Sequence, residues 1–135
     1  MKIKLIDYGI ERAPQRAHEN DAGADVYLHE DITIPARSSM KIGLKFGLHL
    51  PDGVEAAIYP RSGLAAKGIV CQIPPIDSGY TGEIHAIVSN MTDEDVHFEK
   101  FNRIGQLVIH PIILADFTTE DFKQRGNNGL GSTGK

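Results

Sequence analysis

Tryptophan, paired cysteines and long apolar runs are all missing from this sequence. Cys71 is the single cysteine, so no disulfide can form within the chain, and we expect a reducing compartment. No run of about 18 apolar residues occurs, which excludes a helix that spans a membrane. The opening stretch MKIKLIDYGI is too short and too charged for a signal peptide. We therefore expect a cytoplasmic protein with no membrane partner.

Basic residues and metal-ligand patterns are also scarce. The chain has 14 Lys and Arg against 18 Asp and Glu, a formal net charge of −4, so a basic face for nucleic acid is not expected. The six histidines show no zinc-ligand spacing. With 135 residues, 41% of them apolar, the chain is predicted to form a single domain, residues 1–135, with a sizeable core.

Short segments of alternating polar and apolar residues dominate the sequence. Turn sequences such as DAG, PDG and DSG separate them. This pattern predicts an all-β sandwich or jelly roll. The exception is SGLAAKG, which predicts a short helix capped by Ser62 and ended by Gly68. The alternating segments are MKIKLI, ADVYLHEDITI, MKIGLKFGLHL, VEAAIYP, GEIHAIVSN, DVHFEKF and RIGQLVIHPII.

Two stretches carry residues suited to phosphate or to an attacking water. In PRSGLAAKG, Arg61 offers a planar charged fork for phosphate oxygens, Ser62 a hydroxyl and Gly63 a closely approachable backbone N–H. A capped surface turn explains this stretch equally well. In PPIDSGYTGEIHAIVSN, a hairpin at DSG would present Asp77 to hold a water and Tyr80 as the floor of a sugar or base pocket. An ordinary turn is the simpler interpretation of this stretch alone.

Three further stretches carry polar residues suited to a binding site. NDAGADVYL joins Asp21 and Asp25 around a turn, and carboxylates near phosphates indicate a hard cation such as Mg²⁺. For this stretch alone, an ordinary turn leading into a strand is the simpler interpretation. FNRIGQLVI is an apolar strand with Arg103 and Gln106, either of which can contact phosphate. The tail RGNNGLGSTGK has P-loop spacing from Gly129, but neither the Ser or Thr nor the helix of a P-loop follows its lysine.

Taken together, five stretches resemble, in order and spacing, the five motifs of trimeric dUTP pyrophosphatases, including phage and Gram-positive types. They are DAGADVY, PRSGLAAKG, IDSGYTGE, RIGQLVI and RGNNGLGSTG, and they span residues 21–134. The resemblance implies a distorted jelly-roll, β-clip-like fold in a homotrimer. It further implies a β core over residues 1–124 and a glycine-rich arm, residues 125–135, that reaches the active site of a neighbouring subunit.

The activity implied is Mg²⁺-dependent hydrolysis of dUTP to dUMP and pyrophosphate, which keeps uracil out of DNA and supplies dUMP for dTMP synthesis. Asp77 matches the aspartate that activates the attacking water, and Asp25 matches the carboxylate that supports the hydration shell of Mg²⁺. Tyr80 matches the tyrosine that packs under deoxyribose. The implied phosphate contacts are Arg61, Ser62, Gly63 and Gln106 in the core, and Arg125, Gly131, Ser132 and Thr133 in the arm.

The sequence departs from the family where uracil is recognised. Cys71 and Pro74 stand where the family usually has Asn and Gly. Our hypothesis is that Gln72 supplies the amide contact, beside the backbone of Pro75 and Ile76. In the arm, Leu130 replaces the aromatic residue that stacks on uracil, so we expect either weaker closure or closure driven more by the phosphate contacts.

Two alternatives remain at this point. A dCTP deaminase shares the fold and needs a catalytic glutamate, but Glu83 follows the dUTPase pattern YTGE. The other alternative is a dUTPase-like regulator that binds a repressor protein, as phage-encoded members do.

Overall fold

The computed structural model describes residues 1–121, and nearly all of its regular structure is β-strand, as predicted. No helix in this part of the chain is long and apolar enough to cross a membrane. The strands are β1 Lys4–Asp7, β2 Ala24–Tyr27, β3 Ile32–Ile34, β4 Ser38–Gly43, β5 Phe46–His49, β6 Val54–Tyr59, β7 Ile69–Gln72, β8 His85–Asn90, β9 Val96–Phe98 and β10 Arg103–Pro111, and the helix is α1, Ser62–Ala65.

The strands form small antiparallel sheets whose neighbours are mostly distant in sequence. Two sheets have three strands, in the orders β2-β10-β6 and β4-β8-β7. Two more sheets have two strands each, β1-β5 and β3-β9. Pairing of the first strands with later ones is what a jelly roll requires, and it closes the sheets around one core.

Two segments predicted as single strands are broken in the structure. MKIGLKFGLHL divides into β4 and β5, which belong to different sheets. The break lies beside Lys45, whose φ of 68° is left-handed and cannot continue a strand. ADVYLHEDITI likewise divides into β2 and β3. Alternation alone predicted the strand residues but not where the backbone changes direction.

The short helix lies where it was predicted, but the prediction of Ser62 as its cap was wrong. Arg61, in extended conformation, is the N-cap residue of α1, and no side chain caps the helix. Ser62 is therefore the first helical residue and not the cap. Gly68 ends the segment as predicted, with a φ of +87° and its N–H donated to Ala65 O at 3.0 Å.

The predicted hairpin exists, but its connection is longer than the DSG turn. β7 and β8 pair from Ile69 with Asn90 to Gln72 with Ile87. Residues 73–84 connect them, and we call this segment the 73–84 loop. A tight turn lies inside it, where Tyr80 N donates to Asp77 O at 3.0 Å.

The core lies between the sheets and, within residues 1–121, is apolar except for one side chain. β8 shows the alternation that produces it, with Ala86 and Val88 buried and the residues between them partly exposed. The largest fully buried apolar side chains are Phe46, Leu28, Ile34, Leu44, Leu48, Ile84, Ile104, Val26 and Val88. Burial of such side chains stabilises the fold by about 1.5–3 kcal/mol each.

Asn90 is the polar exception, with 1% of its surface exposed. Its Nδ2 donates to Ile34 O at 3.0 Å and to Glu94 O at 2.8 Å. Its Oδ1 accepts from Thr92 N at 3.0 Å and Thr92 Oγ1 at 2.7 Å. The amide thus satisfies both donors and its acceptor while it ties the end of β8 to β3 and to the segment before β9.

We expect Asn90→Ala to lower the free energy of unfolding by about 2–4 kcal/mol, because the backbone groups it serves lose their partners inside the protein. Urea unfolding at one fixed protein concentration measures this loss. The control is Asn20→Ala at an exposed position, which we expect to change stability by less than about 0.5 kcal/mol. Equal stability of the two variants would contradict the role given to the Asn90 amide.

Candidate functional site

A polar cavity of about 210 Å³ lies where β2, β10 and the start of α1 meet. We call it the polar pocket. It unites three stretches that the sequence singled out as separate candidates. Its lining residues are Ala17, Asp21, Gly23, Asp25, Arg61, Ser62, Gly63, Arg103 and Gln106.

The pocket depends on one row of residues across the β2-β10-β6 sheet. Gln106 on β10 pairs with Asp25 on β2 and with Tyr59 on β6. The Gln106 side chain turns toward the end of β6, where its Nε2 donates to Pro60 O at 3.4 Å. Gly23 makes room for it, since a Cβ there would lie 2.6 Å from Gln106 Oε1.

Charges of both signs face the pocket. Arg103 Nη1 lies 3.5 Å from Asp25 Oδ2, and the Asp25 side chain is only 15% exposed. Arg61 Nη1 donates to Arg103 O at 3.4 Å. Asp21 is engaged locally, because its Oδ2 accepts from His18 N at 2.9 Å. Two guanidinium groups beside a carboxylate suit an anion that arrives with its own cation.

The first residues of α1 add backbone donors at the same place. The earliest bonds of the helix run from Ala65 N to Arg61 O at 2.9 Å and from Ala66 N to Ser62 O at 3.0 Å. The N–H groups of Ser62 and Gly63 therefore have no carbonyl partner within the helix. A Cβ on Gly63 would meet no atom within 4 Å, so this backbone is open to a ligand.

The 73–84 loop presents the second group of predicted residues. Ile76 N donates to Ala56 O at 2.8 Å, and Ala56 N donates to Ile76 O at 3.1 Å. These two bonds attach the loop to β6, one residue before the exposed Asp77. Tyr80 is 45% exposed, and its hydroxyl donates to Glu83 O at 2.7 Å.

The structure brings together only part of the predicted site. Arg61, Ser62, Gly63, Gln106 and Asp25 meet in the polar pocket. Within the described residues, Asp77 and its neighbours on the loop do not line it. The arm predictions lie outside the described residues; they are Arg125, Leu130, Gly131, Ser132 and Thr133.

Arg103 is a pocket residue that the sequence left undecided. The motif RIGQ named both Arg103 and Gln106, and periodicity could not separate them because both lie on one apolar strand. The structure places both at the pocket. The contact of Arg103 with Asp25 depends on the pairing of β10 with β2, which the sequence does not reveal.

Cys71 and Gln72 point to opposite sides of the β4-β8-β7 sheet. Cys71 is buried in the core opposite Val88, and this burial raises the pKa of its thiol from 9.0 to about 11. Gln72 is exposed, and its Nε2 donates to Ser89 Oγ at 3.1 Å. The side chain that replaces the usual Asn is thus a core residue, while the next amide along the chain faces outward.

No group of three or more His, Cys, Asp or Glu side chains within residues 1–121 is arranged to hold a metal ion. Asp25 is the more deeply buried of the two carboxylates that line the polar pocket. It can support a hydrated cation whose inner ligands come from a bound ligand.

Comparison with known proteins gives consistent matches. Residues 11–134 match the family model described as dUTPase. A Clostridium tetani protein named deoxyuridine 5'-triphosphate nucleotidohydrolase is 41% identical over 143 residues, covering 100% of this chain and 97% of the relative. The dUTPase of Staphylococcus bacteriophage 80alpha, solved with dUpNHpp, matches with a TM-score of 0.84 at 24% identity, over 98% of each chain. The dUTPase of phage phi11 of S. aureus, described with a structural Mg(II) ion, matches with a TM-score of 0.82 at 20% identity, over 91% of this chain and 99% of that one.

We expect Cys71 to react with DTNB at pH 8 about 100-fold more slowly in the folded chain than in the unfolded chain, because the raised pKa reduces the thiolate fraction by about that factor.

The buried position of Cys71 also predicts a pH-dependent stability, because the folded state favours the neutral thiol. Its stabilising contribution is therefore present below pH 9 and is lost as pH rises toward about 11. Urea unfolding at pH 8 and pH 10.5, with Cys71→Ala as control, measures the second effect. Equal DTNB rates for folded and unfolded chains would contradict the buried position.

Proposed function

The chain belongs to the dUTPase family and is a deoxyuridine triphosphate nucleotidohydrolase, and we propose that the polar pocket and the 73–84 loop together convert dUTP to dUMP and pyrophosphate. The observation that carries this proposal is the convergence of residues from three motifs on one pocket. Asp25, Arg61 and Gln106 are distant in sequence, yet they line the same cavity. Such a cavity suits a triphosphate with its metal ion.

The polar pocket binds and orients the triphosphate. Arg61 supplies a charged fork, and the N–H groups of Ser62 and Gly63 supply donors that need no movement to reach an anion. Gln106 adds an amide whose position is set by its bond to Pro60 O. Because phosphoryl transfer needs positioning and charge stabilisation more than covalent help, these groups can lower the barrier without reacting themselves.

Asp77 orients a water molecule and accepts its proton as the water attacks the α-phosphorus, in line with the departing pyrophosphate. Its exposed carboxylate can reach a substrate bound outside its own chain. The two bonds between Ile76 and Ala56 limit the movement of this carboxylate. That restriction favours one geometry of attack. Correct orientation of the reacting groups is a main source of rate enhancement.

The uracil base and the deoxyribose are recognised by the 73–84 loop and the adjacent end of β7. Pro74 and Pro75 have no N–H to offer uracil, and the N–H and C=O of Ile76 are already bonded to Ala56. Recognition therefore relies on the carbonyl of Pro75 and the outward amide of Gln72. Tyr80 packs under the deoxyribose and excludes a 2′-hydroxyl by close contact. A closely packed ring rejects an added hydroxyl by steric clash, whereas one missing methylene changes binding by only about 1–3 kcal/mol.

Magnesium is the metal ion that this site fits. Neighbouring dUTPase structures include one described with a structural Mg(II) ion. The ion supplies charge neutralisation along the triphosphate when it is bound. Asp25 would hold its hydration shell, and the 3.5 Å contact with Arg103 orients that carboxylate.

The complete active site is proposed to form between copies of the chain in a homotrimer. This is supported by the separation seen in one copy, where the loop with Asp77 does not contribute to the polar pocket of the described residues. A neighbouring copy would bring the loop to the pocket. The glycine-rich arm of a further copy would close over the nucleotide with Arg125, Leu130, Gly131, Ser132 and Thr133. We place this enzyme in the cytoplasm, which its single thiol supports.

The deaminase alternative is not favoured by the structure. Its best glutamate, Glu83, accepts from Lys45 N through Oε2 at 3.0 Å. That bond stabilises the left-handed Lys45 at the break between β4 and β5, so the carboxylate has a structural task. Nothing in residues 1–121 specifically favours the alternative of a repressor-binding regulator.

We expect Asp77→Asn to lower kcat for dUTP by about 10²–10⁴-fold, because the amide cannot accept the proton of the attacking water. Pyrophosphate release from dUTP, dCTP, dTTP and UTP, with and without Mg²⁺, measures this loss and the substrate preference of the wild type. The affinity of the variant for dUpNHpp should stay within several-fold of the wild-type value.

The control for that experiment is Asp52→Asn, at an exposed position in the turn before β6, which should retain wild-type turnover. Ammonia release from dCTP by the wild type would favour the deaminase instead. Full turnover by Asp77→Asn would remove Asp77 from the catalytic role.

We expect Gln72→Ala to raise KM for dUTP about three- to ten-fold and to lower the preference for dUTP over dCTP, since about 0.5–1.5 kcal/mol accompanies one lost hydrogen bond. Initial rates with both nucleotides measure the change. Ser39→Ala is the matched control, because it removes a neighbouring hydroxyl, 2.6 Å from Ser89 Oγ, and leaves the Gln72 amide. Unchanged affinity and discrimination in Gln72→Ala would remove Gln72 from uracil recognition.

A further inference from the structure

We propose that Tyr8 is a positioning residue that holds Tyr80 in place and thereby strengthens the selection of a 2′-deoxy sugar. This inference rests on the proposed function, in which Tyr80 packs under the deoxyribose. Tyr8 lies outside the five motif-like stretches and far from the 73–84 loop in sequence. Its hydroxyl nevertheless donates to Thr81 O at 2.7 Å, and Thr81 directly follows Tyr80.

The backbone of Tyr8 is held on both sides. Tyr8 N donates to Lys45 O at 3.0 Å, which continues the pairing of β1 with β5. On the other side, Asp7 Oδ1 accepts from Gly9 N at 2.7 Å and Ile10 N at 2.9 Å. These bonds end β1 in a tight turn and also lower the pKa of Asp7. The Tyr8 side chain therefore projects from a fixed point and not from a loose terminus.

A glycine on β5 makes the contact possible. Gly47 is buried in the strand next to β1. A Cβ on Gly47 would lie 2.7 Å from Gly82 O, 2.9 Å from Thr81 O and 2.9 Å from Tyr8 Cε2. The backbone of the loop and the Tyr8 ring thus occupy together the space that a side chain would fill. The loop backbone and the Tyr8 ring are both packed directly against the β1-β5 sheet.

Tyr80 is folded onto the segment that Tyr8 holds. Its hydroxyl donates to Glu83 O at 2.7 Å, and a Cβ on Gly82 would lie 2.7 Å from that hydroxyl. The Tyr80 ring therefore rests on the peptide that follows Thr81. Because the Tyr8 hydroxyl bonds the Thr81 carbonyl, it limits rotation of that peptide. It thereby limits how far the Tyr80 ring can move relative to the bound sugar.

Both ends of the loop are secured elsewhere, and Tyr8 acts between them. Ile76 is bonded to Ala56 at one end, and Ile84 N donates to Phe46 O at 2.8 Å at the other. Between these points, Thr81 is exposed. Exclusion of a 2′-hydroxyl by steric clash requires that the Tyr80 ring does not move away from the sugar. The Tyr8 hydroxyl restricts this movement through its bond to Thr81, the residue next to Tyr80.

The test is Tyr8→Phe, which keeps the ring beside Gly47 and removes only the hydroxyl. We expect kcat/KM for dUTP to fall about three- to ten-fold, while kcat/KM for UTP stays constant or rises, so the dUTP/UTP ratio falls. A merely structural weakening would lower both values together. Thr33→Val, which removes a hydroxyl bonded to His97 on the distant β3-β9 sheet, should leave the ratio unchanged.

A double-mutant cycle shows whether Tyr8 acts through Tyr80. In a Tyr80→Ala background, we expect Tyr8→Phe to have no further effect on the ratio. An unchanged ratio in Tyr8→Phe alone, or the same decrease in both backgrounds, would overturn this inference and leave dUTP hydrolysis intact. Absence of pyrophosphate release from dUTP by the wild type would instead overturn the proposed function, and this inference with it.

Discussion

The double pairing of β10 is the constraint on which the rest of the site depends. At Gln106 this strand joins β2 on one side and β6 on the other. That register places Asp25 beside Gln106 and directs the end of β6 toward the residues before α1. A register slip of one residue would turn the Gln106 side chain to the opposite face of the sheet. The polar pocket therefore exists only while both ladders keep this alignment.

The same sheet also anchors the reactive loop. Ala56 on β6 pairs with β10 through one edge and with Ile76 through the other. The strand that leads to Arg61 thus also holds the residue before Asp77. Glycine supports this arrangement at two close approaches: the loop backbone lies against Gly47, and the Gln106 side chain lies against Gly23. A long connection between two strands becomes a rigid arm because its backbone is bonded to neighbouring strands at several points.

Much of the fold could be predicted from alternation, with two exceptions. GEIHAIVSN became β8, which buries every second side chain against the core. VEAAIYP became β6, in which Val54, Ala56 and Ile58 are buried and Ala57 is buried as well. The single strands predicted at MKIGLKFGLHL and ADVYLHEDITI are broken. Lys45 shows the reason in the first of them, since its left-handed backbone donates its N–H to the carboxylate of Glu83. A local pattern contains no information about a partner so distant in the chain.

By itself, the sequence determined the strand-rich class, the five motif-like stretches and the chemical types at the site, because these follow from residue identity and local spacing. The tertiary structure decided which of those residues meet. It placed Arg103 against Asp25, turned Cys71 into the core and Gln72 outward, and brought Tyr8 to Thr81. Each of these outcomes depends on strand register between segments far apart in the chain, and register is set by the packing of the whole core.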